Sequence, residues 1–417
     1  MTARSRRWVA AVTGGLVAAL AAAPPAVADS FRDRQWHLSV LNVAQAHQMT
    51  MGDGVVVAVV DSGVKADHPD LAGNVLPGVD LTGVDTKGQQ DTSGHGTAMA
   101  GLIAGHGHGP DNADGAIGIA PHAKILPIRE HRDLLGTTGG VAAGIDAAVK
   151  GGAKVVSVSL AVAPNDALKQ AVQTALAADV VVVAGVGNRP KDSFVGYPAA
   201  YPGVVAVGAT DKDGNLAPVS MTGREVMLTA PGVDIVSTDG IGGYRIGTGT
   251  SDSTAIVAGA AALIRAKYPT LPATEVVHRL TATATDKGTP GRDPQYGYGV
   301  LNLVAALTAD VKPAPTGGGS APTDGQPSPA AAGPTAEAEG STPLKLSPAF
   351  FVCLGVVGLL VAVGIGLAIW LVVRGRNKPS SAVTGYPASG HSTSPHLPYP
   401  QGPGQRQHSA PPPESSS

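Results

Sequence analysis

The chain predicts an α/β domain with a doubly wound, mainly parallel sheet. Two observations carry that prediction. Val-rich apolar runs recur through the middle of the chain without the polar alternation of a half-solvated strand, and Ala-rich stretches of helical spacing fall between them. Residues 55–60, 154–160, 180–184 and 204–207 read as strands covered on both faces. Residues 139–149, 165–178 and 253–268 read as helices. Strands separated by helices join in parallel through crossovers that lay helices on both faces of one sheet. In such a sheet the reactive groups gather at the carboxyl ends of the strands.

The two ends of the 417-residue chain read differently. Residues 1–28 have the plan of a secretory signal peptide: Arg4, Arg6 and Arg7, an apolar run over 8–22, then Ala26, Val27 and Ala28 at the cleavage positions. Residues 349–373 are apolar almost without break and long enough to cross the ~30 Å hydrocarbon core of a bilayer. Arg374, Arg376 and Lys378 follow directly and place that end in the cytoplasm. The expected protein is therefore a single-pass cell-membrane protein whose folded part is extracellular. Residues 311–348, rich in Pro, Ala, Gly, Ser and Thr, cannot bury enough apolar surface to fold and read as a linker. Residues 374–417 read in the same way as a disordered cytoplasmic tail. That leaves 29–52 as an N-terminal extension and 53–310 as the folded domain.

Composition narrows the functions open to that domain. A net charge of −2 argues against nucleic acid as a partner, because phosphate binding needs a strongly positive face. The single cysteine, Cys353, lies in the apolar span and reads as a small apolar residue in preference to a lipidation site. It allows no intrachain disulfide and no cysteine metal site, so the exported domain must rest on a large hydrophobic core.

Three short motifs carry chemistry. Asp61 closes the run over 55–60 and begins Asp61-Ser62-Gly63-Val64, which sets a carboxylate at the carboxyl edge of the sheet. On its own it reads as a turn residue. His95 sits in Ser93-Gly94-His95-Gly96-Thr97, where flanking glycines let neighbours approach the ring; on its own it reads as a surface or capping histidine. Ser251 sits in Gly249-Thr250-Ser251-Asp252 before the helix over 253–268, and on its own reads as an N-cap. The same place suits a nucleophile, since free N–H groups at a helix start stabilise a developing oxyanion. Together, in the order Asp, His, Ser, the three point to nucleophilic catalysis rather than to three unrelated turns.

Over residues 53–307 the chain resembles the subtilisin family of serine proteases. The resemblance rests on Asp61 with His68-Pro69-Asp70-Leu71 after it, on Gly94-His95-Gly96-Thr97, and on Gly249-Thr250-Ser251 with Val257-Ala258-Gly259 downstream. Tyr197-Pro198-Ala199 and Tyr298-Gly299 also match. It implies a subtilisin-like fold and a triad of Asp61, His95 and Ser251. It further implies Asn188 as an oxyanion donor, and Ser159, Leu160 and Ala161 as the edge on which a protein or peptide substrate adds as a β-strand. That chemistry requires no cofactor. Calcium is a structural ligand in many members, and no ligand spacing here predicts it.

The chain departs from the family at three of these positions. Ala255 stands where proline is common, Asp252 where an apolar residue is common, and Ala161 where glycine is usual. Asp252 favours the helix start but sets a negative charge beside the oxyanion, which is expected to slow catalysis. The Ala161 methyl is expected to narrow the cleft.

An export signal, a protease domain without a long propeptide, a Pro-rich linker, one span and a basic flank resemble the mycosins, membrane-anchored proteases associated with type VII secretion in actinobacteria. That resemblance implies processing of exported proteins beside a type VII secretion membrane complex. The alternative it also carries is a mainly structural subunit of that complex, with little proteolytic role.

Overall fold

A computed structural model of the protein describes residues 30–132 and 136–314. The chain divides into two units, 1–321 and 322–417, and all described residues belong to the first. Three short helices open it: α1 (Ser30–Asp33), α2 (Trp36–Val40) and α3 (Val43–His47). The sheet strands are β1 (Val56–Asp61), β2 (Val79–Asp80), β5 (Lys124–Arg129), β6 (Val155–Val158), β7 (Val181–Gly185), β8 (Val205–Thr210) and β9 (Leu228–Pro231). Two antiparallel pairs flank them, β3 (His106–His108) with β4 (Asp114–Ile117), and β10 (Ile235–Thr238) with β11 (Tyr244–Gly247). The longer helices are α4 (His95–Ala104), α5 (Thr138–Lys150), α6 (Asp166–Ala177), α7 (Thr250–Lys267) and α8 (Ala273–Ala282), and α9 (Leu303–Thr308) ends the domain.

The seven strands lie in the order β2-β5-β1-β6-β7-β8-β9, and every pairing is parallel. The subtilisin-like, doubly wound expectation holds. Val-rich strands without alternation are buried on both faces: β6, β7 and β8 are buried at every position. One apolar cluster joins the sheet to α4 and α7, and a second joins its other face to α5 and α6. Helix α7 is buried from Asp252 to Arg265. Its run of alanines, with Gly259, lets the backbone press so close that a methyl on Gly259 would sit 2.7 Å from Ile119 Cβ. A helix apolar on all sides is a core helix. Strand order reverses around β1, so the carboxyl ends of β1, β5, β6 and β7 open one crevice, where such sheets place their ligands.

The observed elements match the expected ones to within one to three residues, and two of the differences bear on the site. The run over 154–160 is a strand only over β6, because Ser159 turns out to meet Ser251. The helix expected over 253–268 begins at Thr250, because the Thr250 N–H donates to Asn188 Oδ1 at 2.9 Å and Gly249 takes the cap position. The signal peptide over 1–28, the linker beyond residue 314, the span over 349–373 and the tail over 374–417 lie outside the described residues. Among the described residues no helix is long and apolar enough to cross a membrane.

Residues 32–36 pack along β4 and the start of β10, and α3 packs against α9. Arg32 donates to the carbonyls of Asp114 and Gly115, Gln35 exchanges hydrogen bonds with Ile117, and the Trp36 indole donates to the Val233 carbonyl. His37 is fully buried, and neither ring nitrogen has a hydrogen-bond partner among the described residues. Burial lowers its pKa to about 3. A depressed pKa favours the folded state above the ordinary histidine value of 6.5, and that contribution is lost as pH falls toward 3. The loss amounts to roughly 3–5 kcal/mol. His37→Leu is therefore expected to keep its thermal midpoint between pH 7.5 and 4.5 better than the parent. An equal drop in both proteins would show that His37 is not the acid-sensitive group.

Candidate active site

Asp61 is the last residue of β1 and is fully buried. Both of its carboxylate oxygens accept from His95 Nδ1–H, at 2.8 and 2.9 Å. Oδ1 also accepts the Ser62 N–H at 2.8 Å. Burial pushes the carboxyl pKa up, but the charge and hydrogen bond of His95, the charge of His131 and the Ser62 N–H outweigh it and hold it below the usual range.

His95 is the first residue of α4, and its glycine neighbours serve close approach. Gly94 has φ +82°, and a methyl there would lie 2.6 Å from Asp239 Oδ1. A methyl on Gly96 would lie 2.1 Å from the Gly63 carbonyl, so the helix start could not reach the end of β1. Asp91 ties the turn together. Its Oδ1 accepts from the Ser62 hydroxyl and the Gly94 N–H, and its Oδ2 from the N–H and hydroxyl of Thr97. Burial works to lower the His95 pKa, but the charge and hydrogen bond of Asp61 and the charge of Asp252 overcome it and raise it. A ring whose Nδ1 is held by a carboxylate presents Nε2 as the base.

Ser251 lies in the first turn of α7, not at its cap. Its hydroxyl donates to the Ser159 carbonyl at 3.0 Å, and the Ser159 hydroxyl donates back to the Ser251 carbonyl at 3.0 Å. The structure thus brings Ser251 and His95 into one cleft without a hydrogen bond between them. Asn188 follows β7. It lines the cleft, its Oδ1 accepts the Thr250 N–H, which leaves Nδ2 without a protein partner among the described residues, and its own N–H donates to Asp192 at 2.6 Å. Ser251 N–H, in the first turn of α7, belongs to the group of helix N–H donors that find no partner within the helix.

The cleft measures about 490 Å³ and opens over all of the sequence-predicted site residues except Asp61, which supports His95 from behind. Ser159, Leu160 and Ala161 run out of β6 along its wall until Val162 pairs with Tyr197. Ala161 faces Gly196, where a methyl would meet the Ala161 Cβ at 2.7 Å.

Asp252 is buried next to Ser251. Burial raises its carboxyl pKa to about 6, against the pull of Arg245 and His95. A methyl on Gly247 would sit 2.8 Å from both Asp252 oxygens and 2.9 Å from Arg245 Nη2, so carboxylate and guanidinium converge there. The charge that the sequence set beside the oxyanion thus has a cationic neighbour. Asp252→Asn removes one of the charges that raise the His95 pKa, so the acid limb of kcat/KM is expected to move to lower pH. A superimposable profile would show that Arg245 already neutralises Asp252.

Sequence reasoning missed four groups here: Asp91, Arg245, Glu130 and His131. The last two follow β5 directly, and the rule that strand ends carry reactive groups could have found them had Pro127 not masked that strand.

The arrangement can carry acyl transfer: a hydroxyl at a helix start, an oriented imidazole and a side-chain amide share one crevice, and a buried carboxylate backs the imidazole. Comparison with known proteins agrees. The profile of the subtilase family (Peptidase S8) matches residues 52–299. Subtilisin DY of Bacillus licheniformis is 39% identical over 260 residues, 61% of this chain and 91% of that one. The crystal structure of MycP1 from Mycobacterium smegmatis is similar with a TM-score of 0.60 at 27% identity, covering 72% of this chain and 90% of that one. The MycP3 protease from the type VII (ESX-3) secretion system is similar with a TM-score of 0.57 at 33% identity, covering 66% and 88%.

Proposed function

The chain belongs to the subtilase family and is a subtilisin-type serine endopeptidase, and we propose that it is a membrane-anchored one that cuts exported proteins outside the cell with a triad of Asp61, His95 and Ser251. The observation that carries the triad is the two-oxygen clasp of Asp61 on His95 Nδ1, set in the same crevice as Ser251.

Ser251 Oγ attacks the scissile carbonyl as His95 Nε2 takes its proton. His95 then passes that proton to the leaving amine, and Asp61 holds the ring and stabilises the imidazolium. Asn188 Nδ2 and Ser251 N–H receive the oxyanion. To reach His95, the Ser251 hydroxyl leaves the Ser159 carbonyl, a rotation that substrate binding along residues 159–161 favours by occupying that edge. Asn188→Ala is expected to lower kcat by about 10²–10³ with KM little changed. A loss of less than tenfold would assign the oxyanion to other donors.

The export signal over 1–28, the linker over 311–348 and the apolar span over 349–373 support an extracellular domain on a single span with the tail inside. Similarity to MycP1 and MycP3, the latter a protease of a type VII secretion system, supports a place beside such a complex. One observation favours the second reading, a mainly structural subunit: the Ser251 hydroxyl rests on Ser159 rather than on His95. The test is exchange of the parent gene for Ser251→Ala in a cell that makes the protein, followed by N-terminal mapping of its secreted proteins. Loss of specific cleaved N-termini with secretion intact supports processing. Unchanged N-termini in the variant support the structural subunit.

A further inference from the structure

The mechanism leaves one buried, oriented imidazole in the cleft unused. Glu130 and His131 follow β5, and Glu130 N–H donates to the Asp61 carbonyl, so the pair lies beside the end of β1. The Glu130 carboxylate is fully buried. It accepts His131 Nδ1–H at 2.7 Å and Thr137 N–H at 3.3 Å, at the start of α5. Glycine makes room for it: a methyl on Gly136 would lie 2.5 Å from Oε1, and one on Gly140 2.1 Å from Oε2. This repeats the Asp61–His95 arrangement one strand over. With Nδ1–H given to Glu130, Nε2 is the nitrogen left for the cleft that the residue lines, and it becomes a donor when the ring takes a proton.

We propose that His131 is a specificity-determining residue that binds an acidic side chain of the substrate two residues before the scissile bond. The place follows from strand geometry. A substrate laid along Ser159–Ala161 points alternate side chains to opposite sides. In the order β5-β1-β6-β7 the edge after β6 lies between the end of β7, with Gly187 and Asn188, and the ends of β1 and β5, with His131, so the residue before the cut would meet the first side and the second residue the other. Glu130 on its own segment, Asp61 on β1 and His95 on α4 are the charged groups around the ring. Burial opposes its charge, but the Glu130 hydrogen bond and the charges of Asp61 and Glu130 raise its pKa. Across the cleft stand Lys191, Asp192, Arg245 and Asp252.

The inference rests on the protease reading, and its test separates the two. A peptide that binds Ser251→Ala is made with Glu, Gln or Ala at the second position before the candidate scissile bond and offered to the full-length parent. At pH 6.5 kcat/KM for Glu over Ala is expected to be about tenfold, with Gln between, falling toward one by pH 9. In His131→Leu the ratio falls to about one at both pH values, and in Glu130→Gln the preference is lost at lower pH than in the parent. A parent ratio within twofold of one, or a ratio kept in His131→Leu, overturns the proposal. The same peptides are bound to Ser251→Ala and measured by anisotropy. Tighter binding of Glu without turnover by the parent would keep the subsite and remove the protease reading; turnover without preference would do the reverse.

Discussion

Ser251→Ala is expected to lower kcat about a million-fold while leaving peptide affinity close to that of the parent. The change deletes the attacking oxygen and its hydrogen bond to the Ser159 carbonyl. The return bond from the Ser159 hydroxyl to the Ser251 carbonyl remains, so the start of α7 keeps its place against β6. Helix α7 is buried along most of its length, and its fold does not depend on one hydroxyl at its rim. What survives is the residual rate from the oxyanion donors and from binding. A loss of only a hundredfold would mean that another group attacks the carbonyl.

Asp61→Asn is expected to cost about 10⁴ in kcat, through the tautomer of His95. Asp61 Oδ1 accepts both the Ser62 N–H and the His95 ring. An asparagine in the same rotamer gives its oxygen to Ser62 and turns its NH₂ to His95 Nδ1. That ring nitrogen must then accept, the proton moves to Nε2, and the base that faces Ser251 is gone. The lost carboxylate charge also lowers the His95 pKa, so the acid limb of the residual rate moves down in pH. A small loss in kcat with an unmoved limb would contradict the assigned role.

Much of this was legible in the sequence, for physical reasons. Strands buried on both faces show as unbroken Val runs, so β1, β6, β7 and β8 were found. β5 carries Pro127, which reads as a breaker; here it falls just before the two residues that pair with β2. β2 and β9 are short, and the β10–β11 hairpin leaves no apolar run, so Arg245 went unseen. The residues of the proposed triad could be picked out because each sits in a tight glycine-bearing turn, and Gly94 and Gly96 meet contacts that no side chain could share. The Glu130–His131 pair was not, because two polar residues after a strand carry no mark of burial in one sequence. Asp252 was read as a charge beside the oxyanion. That Arg245 lies near it needed the fold, since the two approach each other only where β11 passes the start of α7.

The account stands on Ser251 as a nucleophile activated by His95. The direct measurement is the labelling of the full-length protein with a fluorophosphonate, the modified residue being mapped by mass spectrometry. The account predicts one label per chain, on Ser251, with a rate that rises with pH as His95 loses its proton, and with none in Ser251→Ala. A folded parent that takes no label, or takes it equally in Ser251→Ala, would contradict it.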